Sequence, residues 1–114
     1  MKIEKYSFGS IIINGKEYNK DVIVFQDKVF SPWWREEGHN LSVKDLKKVI
    51  DETPDSVIIG TGDQGIMKVP EETLEELKRL DIDPIIAKTP EAIKTYNKKI
   101  KNKENVIACL HLTC

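Results

Sequence analysis

The sequence predicts an α/β domain built on a mixed β-sheet. Three observations carry this: β-branched runs flank turn residues throughout the first third, the apolar period changes after Ser31-Pro32, and short strands alternate with helices from residue 42 to the end. With 114 residues and 39% hydrophobic content, the chain fits one domain, residues 1–114, with a single core.

The elements follow in order. Ile11-Ile12-Ile13-Asn14-Gly15-Lys16-Glu17-Tyr18 places Asn-Gly between two extended segments, a pair that tolerates the positive φ of a tight hairpin turn. A second antiparallel pair is Val22–Phe25 and Val29-Phe30, joined by Gln26-Asp27-Lys28. Val43, Leu46, Val49 and Ile50 then recur at helical spacing. Ser42 is a good N-cap with Asp45 three residues on, which predicts a helix over 42–52 that stops before Pro54.

Val57–Gly60 is a short buried strand, and Pro70-Glu71-Glu72 opens a second helix with Leu74, Leu77 and Leu80 on its inner face. Ile85–Ala87 is the next strand. Thr89-Pro90-Glu91 supplies an N-cap, a proline and a first-turn acid for a third helix carrying Ile93, Tyr96 and Ile100, and Val106–Leu112 is the last strand. Such alternation implies β-α-β crossovers between largely parallel strands, with the N-terminal antiparallel hairpins joining or flanking the sheet.

Composition narrows the function. Lys plus Arg (18) nearly cancels Asp plus Glu (19), for a net charge of −1, and only Arg35 and Arg79 are guanidiniums, so neither the overall field nor the side-chain supply suits nucleic acid. No apolar run approaches the roughly 20 residues of a membrane span, and MKIEKYSFG lacks the apolar core of a secretory signal, so a cytoplasmic protein is expected. Cys109 and Cys114 are expected as reduced thiols. With His39 and His111 they lack the spacing of a structural zinc site.

VIIGTGDQG, residues 57–65, carries glycines spaced G-x-G-x-x-G, as in dinucleotide-binding loops. In that fingerprint the third glycine lies in the first turn of a helix, whereas here Ile66-Met67-Lys68-Val69 separates Gly65 from Pro70. Asp63 in the loop and Glu71-Glu72 at the helix start also oppose a phosphate, so the sequence implies no cofactor. A narrower expectation is a small-anion site in the crevice at the carboxyl ends of the parallel strands. Its donors would be the N–H groups of Thr61 and Gly62, with Lys88 and Thr89.

Trp33-Trp34-Arg35-Glu36-Glu37-Gly38-His39, Ile59-Gly60-Thr61-Gly62, Thr89-x-x-Ala92-x-x-Thr95-Tyr96-Asn97 and His111-x-Thr113-Cys114, in that order and at these separations, resemble the small Mth-type domain. That domain occurs in archaeal and bacterial proteins of unknown function, in the animal adipogenesis-associated Mth-domain-containing protein, and in the mitochondrial assembly factor three of NADH dehydrogenase. The resemblance covers essentially the whole chain. It implies a three-layer α/β fold with a mixed central sheet and no established catalysis, since the best understood relatives act through protein partners. The family's patterns fall here on Trp34, Arg35, Gly60, Gly62, Tyr96 and Asn97, without assigned chemical roles, and the mitochondrial assembly role is not carried over.

Trp33-Trp34-Arg35 is read as loop. Trp and Arg are enriched at interface hot spots, so the segment is a candidate partner anchor or pocket wall; the competing reading has both rings capping the core and Arg35 paired to Glu36 or Glu37. Cys109 and His111 alternate onto one face of the last strand, but at roughly 7 Å such residues do not hydrogen bond, and Cys109 between Ala108 and Leu110 reads as buried structure. Asn97 is expected to hydrogen bond a neighbouring loop, and the lysines after residue 97 to answer the helix dipole. The leading functional expectation is a non-catalytic protein-interaction or assembly module using Trp33, Trp34 and Arg35, with an unidentified protein partner and a possible homodimer. The alternative is a small-ligand protein or enzyme using the crevice near Gly60, Gly62, Thr89 and Arg35.

Overall fold

The computed structural model describes residues 1–114. The chain forms β1 (Ile3–Ser7), β2 (Ser10–Ile13), β3 (Lys16–Tyr18), β4 (Val22–Val24), β5 (Val29–Phe30), a 3₁₀ turn (Val43–Leu46) running into α1 (Lys47–Asp51), β6 (Ser56–Gly60), α2 (Glu71–Arg79), β7 (Asp83–Ala87), α3 (Thr89–Lys101) and β8 (Val106–Leu110). The expected mixed sheet has the order β5-β4-β8-β6-β7, with β6 parallel to β7 and β8, and β4 antiparallel to β8 and β5. The first hairpin stands apart from it in a three-stranded antiparallel sheet, β1-β2-β3.

Strand alternation gives the central sheet two apolar faces. Val22, Val24, Ile58, Ala108 and Leu110 point to one side, packing with Ile3, Ile11 and Ile13 of the small sheet and with Ala92, Ile93 and Tyr96 of α3. Ile23, Val57, Ile59, Ile107 and Cys109 point to the other and pack with Leu46, Val49 and Leu77 of the α1 and α2 side. Both β6 and β8 are buried along their whole length, as continuous apolar strands between two layers must be. The three layers are thus α1 with α2, the sheet, and α3 with the small sheet.

Asn14 and Gly15 have φ of 49° and 80°, as the hairpin turn requires. Residues 3–7, to which no strand is assigned from the sequence, form β1 antiparallel to β2. The helix expected over 42–52 is corrected to a 3₁₀ turn followed by a short α1. Asp45 ties this start to the aromatic loop: its carboxylate accepts the Ser42 N–H (2.9 Å), closing the capping box, and the Glu36 N–H (3.1 Å), and its carbonyl accepts the Trp33 indole N–H at 3.0 Å, a tertiary bond at the point where the 3₁₀ turn passes into α1.

The last strand also ends two residues early. After Leu110 the chain leaves the sheet and crosses the loop that follows β6: His111 N–H donates to Gly60 O (3.0 Å), and Leu112 O accepts from Gly9 N–H (2.8 Å) and the Tyr6 hydroxyl (3.1 Å). This crossing brings the C-terminal residues to the only charged cluster inside the fold.

Candidate functional site

Asp21, in the connection from β3 to β4, Arg35, in the loop after β5, and His111, just past β8, meet at one point. Asp21 Oδ2 accepts from Arg35 Nη2 at 2.8 Å and from His111 Nδ1 at 2.8 Å; Oδ1 accepts the Leu112 N–H at 2.8 Å. Arg35 Nη2 and His111 Nδ1 lie 3.1 Å apart as two donors converging on one oxygen, which places the imidazole proton on Nδ1. Side-chain exposure is 5% for Arg35, 7% for His111 and 16% for Asp21, so the ions are largely withdrawn from water.

Burial of such a carboxylate needs several donors. Desolvation works to raise the Asp21 pKa. The hydrogen bonds from His111, the Leu112 N–H and Arg35 outweigh it and hold the carboxyl below its usual range. The backbone is tied in as well: Asp21 O accepts the Trp33 N–H at 2.9 Å and the Ser31 hydroxyl at 3.1 Å, beside a cis Ser31-Pro32 peptide.

Arg35 fixes the aromatic segment from the other side. Its Nε–H donates to Gly38 O at 3.1 Å, and the guanidinium carbon lies 4.6 Å from the centre of the Trp33 ring. The expected pairing of Arg35 with Glu36 or Glu37 is corrected: both glutamates are exposed, and Asp21, held beside the cluster by its own backbone bonds, takes the cation. The two tryptophans also part company. Trp33 is 3% exposed and packs in the core, whereas Trp34 is 74% exposed.

A cleft of about 310 Å³ opens on this cluster, lined by Lys20, Asp21, Trp34, Arg35, His111 and Thr113 among others. On the far side of Trp34 lies a groove of about 340 Å³ between Trp34 and Phe30, edged by Lys44, Lys47 and Lys48. His39 is exposed and sets its ring edge to face against His111, centroids 5.5 Å apart.

The glycine loop lies against the same tail and is packed shut. Thr61 N–H donates to Ala87 O (2.9 Å), and Gly62 N–H to Thr89 Oγ1 (2.9 Å), whose own hydroxyl donates to His111 O (2.6 Å). The two amides considered above as anion donors are therefore used within the chain, and Lys88 is exposed beside them. Gly62 has φ of +108°, and a Cβ there would lie 2.3 Å from the Cys114 carbonyl carbon and 2.9 Å from His111 Cδ2. Gly60 meets Thr89 just as closely. These glycines serve close approach of the chain's own tail and helix. Residues 66–70 separate Gly65 from α2, as expected from the sequence.

Tyr96 and Asn97 lie away from the cleft, on α3. Tyr96 is fully buried under the small sheet, its hydroxyl without a protein partner and its pKa pushed up to about 12 by burial. Asn97 clamps the backbone of Ile3 rather than a loop: Oδ1 accepts the N–H at 3.1 Å and Nδ2 donates to the carbonyl at 2.8 Å. Cys109 is buried among apolar side chains, which pushes its thiol pKa well up despite the nearby Arg35 charge.

A family model described as "Protein of unknown function (DUF498/DUF598)" matches residues 3–111. The chain belongs to this DUF498/DUF598 family, of Mth938 type. Among solved structures it is similar to one named MT938, with 30% identity, a TM-score of 0.83 and coverage of 99% of this chain and 98% of the other. It is also similar to a conserved hypothetical protein of Pyrococcus horikoshii, with 27% identity, a TM-score of 0.82 and complete coverage of both chains. A Bordetella pertussis protein described as a Mth938-like domain shares the fold at 15% identity, with a TM-score of 0.80 over 97% of this chain and 85% of that one. No helix of this Mth938-type domain is long and apolar enough to cross a membrane.

Of the residues singled out in the sequence, the fold brings Trp34 and Arg35 to the cleft and sets Trp33 beneath them. Gly60, Thr61, Gly62 and Thr89 back the same tail from within, while Tyr96 and Asn97 anchor α3 to β1. Sequence reasoning missed Asp21. The available signal was a carboxylate directly before Val22-Ile23-Val24, a fully buried strand, where a charge needs a partner.

Proposed function

We propose that this Mth938-type domain is a non-catalytic interaction module that docks a partner protein through Trp34 and the groove it shares with Phe30. The observation that carries this reading is the division of labour between neighbouring tryptophans: Trp33 is locked in the core under Arg35, and Trp34 is held out at 74% exposure. An indole has only two side-chain torsions to lose on binding, and Trp is among the residues enriched at interface hot spots. Phe30, 37% exposed at the sheet edge, supplies a second apolar contact.

Lys44, Lys47 and Lys48 edge the groove with Asp45; Asp45 is engaged by Ser42 and Glu36 and Lys47 pairs with Asp51, so Lys44 and Lys48 leave a positive edge that favours a partner segment bearing carboxylates around an apolar anchor. Lys48 already lies over the Phe30 ring, with its ammonium 4.7 Å from the centroid, a cation-π contact that sets a positive charge at the groove's apolar floor.

The test is capture of partners by the tagged chain from its native lysate, alongside Trp34→Ala and Lys48→Glu variants shown to be folded by circular dichroism. The reading predicts a stoichiometric protein retained by the wild type and lost from both variants. A partner retained equally by folded Trp34→Ala contradicts it.

A further inference from the structure

The geometry points to the open edge of β7 as a docking surface for a second copy of this chain, joined strand to strand about a two-fold axis. β7 ends the central sheet on the side opposite β5, so this inference is independent of the Trp34 groove. The other open edges offer less. β5 and β3 have two and three residues, and β1 is interrupted by a register shift between Ile3 and Lys5, with the Ile3 backbone taken by Asn97. β7 runs five residues in unbroken register with β6. Ile85 and Ala87 pack toward α3, so by alternation Ile86 faces the α2 side, where it is 41% exposed. An apolar, β-branched side chain thus stands bare on an unpaired edge, the pattern that strand addition uses.

The unpaired backbone groups select the occupant. Asp83 N–H donates to Asp55 O (3.0 Å) and Ala87 O accepts the Thr61 N–H (2.9 Å), so residues 83, 85 and 87 turn their backbone groups toward β6. Residues 84, 86 and 88 turn theirs outward. Pro84 has no N–H, and the Lys88 carbonyl is already taken by Ala92 N–H in the first turn of α3 (2.9 Å). What remains is two donors, the N–H groups of Ile86 and Lys88, and two acceptors, the carbonyls of Pro84 and Ile86. In an antiparallel pair centred on Ile86, the two Ile86 residues exchange N–H···O=C bonds and each Lys88 N–H donates to the Pro84 carbonyl of the other copy. Four bonds form and no group of the set is left over. A pair centred on Ile85 would instead set Pro84 against Ile86 and leave both Ile86 carbonyls without a donor. The missing N–H of Pro84 needs a position opposite it whose carbonyl asks for nothing, and Lys88 of a second copy is such a position. The same register sets the two Ile86 side chains on one face as cross-strand neighbours, and brings exposed Lys88 within one residue of exposed Asp83 of the other copy.

The full chain, followed by sedimentation velocity and by amide exchange in NMR between about 10 μM and about 1 mM, tests this over the range of weak self-association. A dimer is expected to form across that range, with the Ile86 and Lys88 amides exchanging at least tenfold more slowly in the dimer than in the monomer. Ile86→Glu sets like charges against each other at the axis and should raise the dissociation constant at least tenfold, whereas Trp34→Ala, at the far side of the sheet, should leave it unchanged. A chain still monomeric at about 1 mM, a dimer whose Ile86 and Lys88 amides exchange as fast as in the monomer, undiminished association of folded Ile86→Glu, or loss of the dimer in Trp34→Ala would overturn the assignment. Should Ile86→Glu not fold, the exchange pattern of the wild type decides alone.

Discussion

Asp21 Oδ2 and His111 Nδ1 lie 2.8 Å apart although 90 residues of chain separate them. That contact joins the start of the central sheet's antiparallel half to the tail that leaves its parallel half, and Arg35 closes it from the aromatic loop. The frame around Trp34 therefore depends on a buried ionic cluster rather than on apolar packing alone.

Removing Asp21 leaves Arg35 buried without its counter-ion and the Leu112 N–H without an acceptor. Asp21→Ala should destabilise the fold by about 3–5 kcal/mol, the usual cost of breaking a buried pair from one side. Urea unfolding followed by Trp33 fluorescence would measure it, and a change under about 1 kcal/mol would mean that water replaces the carboxylate without loss.

The cluster also sets an acid limit. A carboxyl whose pKa is lowered on folding contributes stability that is fully present above its unfolded pKa, about 4, and that is lost as pH falls through the lower folded value. Melting temperature should therefore decline as pH drops below about 4, and less steeply in Asp21→Asn, which carries no proton to gain. Parallel melting curves for the two proteins between neutral pH and about pH 3 provide the check.

Gly62→Ala would drive a methyl into the Cys114 carbonyl at a φ of +108°. It should cost more than about 2 kcal/mol through backbone strain and displacement of the tail. Gly38 has open space around it, so Gly38→Ala should stay within about 0.5 kcal/mol. Equal effects at the two sites would show that the tail does not rest on the loop.

The two thiols should differ in kind. Cys114 is partly exposed, whereas Cys109 is fully buried and its thiolate is disfavoured there. Iodoacetamide should label Cys114 in the native protein and reach Cys109 only on unfolding, as read by peptide mass spectrometry. Rapid native labelling of Cys109 would contradict the packing.

Much of the fold is legible in the residues because its signals are local. Asn14-Gly15 marks the hairpin, Ser42 and Asp45 mark a helical start, and the uninterrupted apolar runs of β6 and β8 mark strands covered on both faces. What the sequence conceals is non-local. The Trp33 indole N–H reaches the Asp45 carbonyl from another segment of the chain, a contact the helical spacing over 42–52 does not announce. Arg35 chose Asp21 over its neighbours Glu36 and Glu37 because of where Asp21's backbone is held, by Trp33 and Ser31. The glycine spacing at 60–65 likewise describes a meeting with the tail at 111–114, a partner absent from any local window.

The central claim is that Trp33 holds the fold and Trp34 is held out for use. Urea unfolding of Trp33→Ala and Trp34→Ala side by side tests it most directly. The account predicts a loss of about 3–5 kcal/mol for Trp33→Ala and under about 0.5 kcal/mol for Trp34→Ala. Comparable losses in both variants would contradict it, because Trp34 would then be part of the structure it is said only to project from.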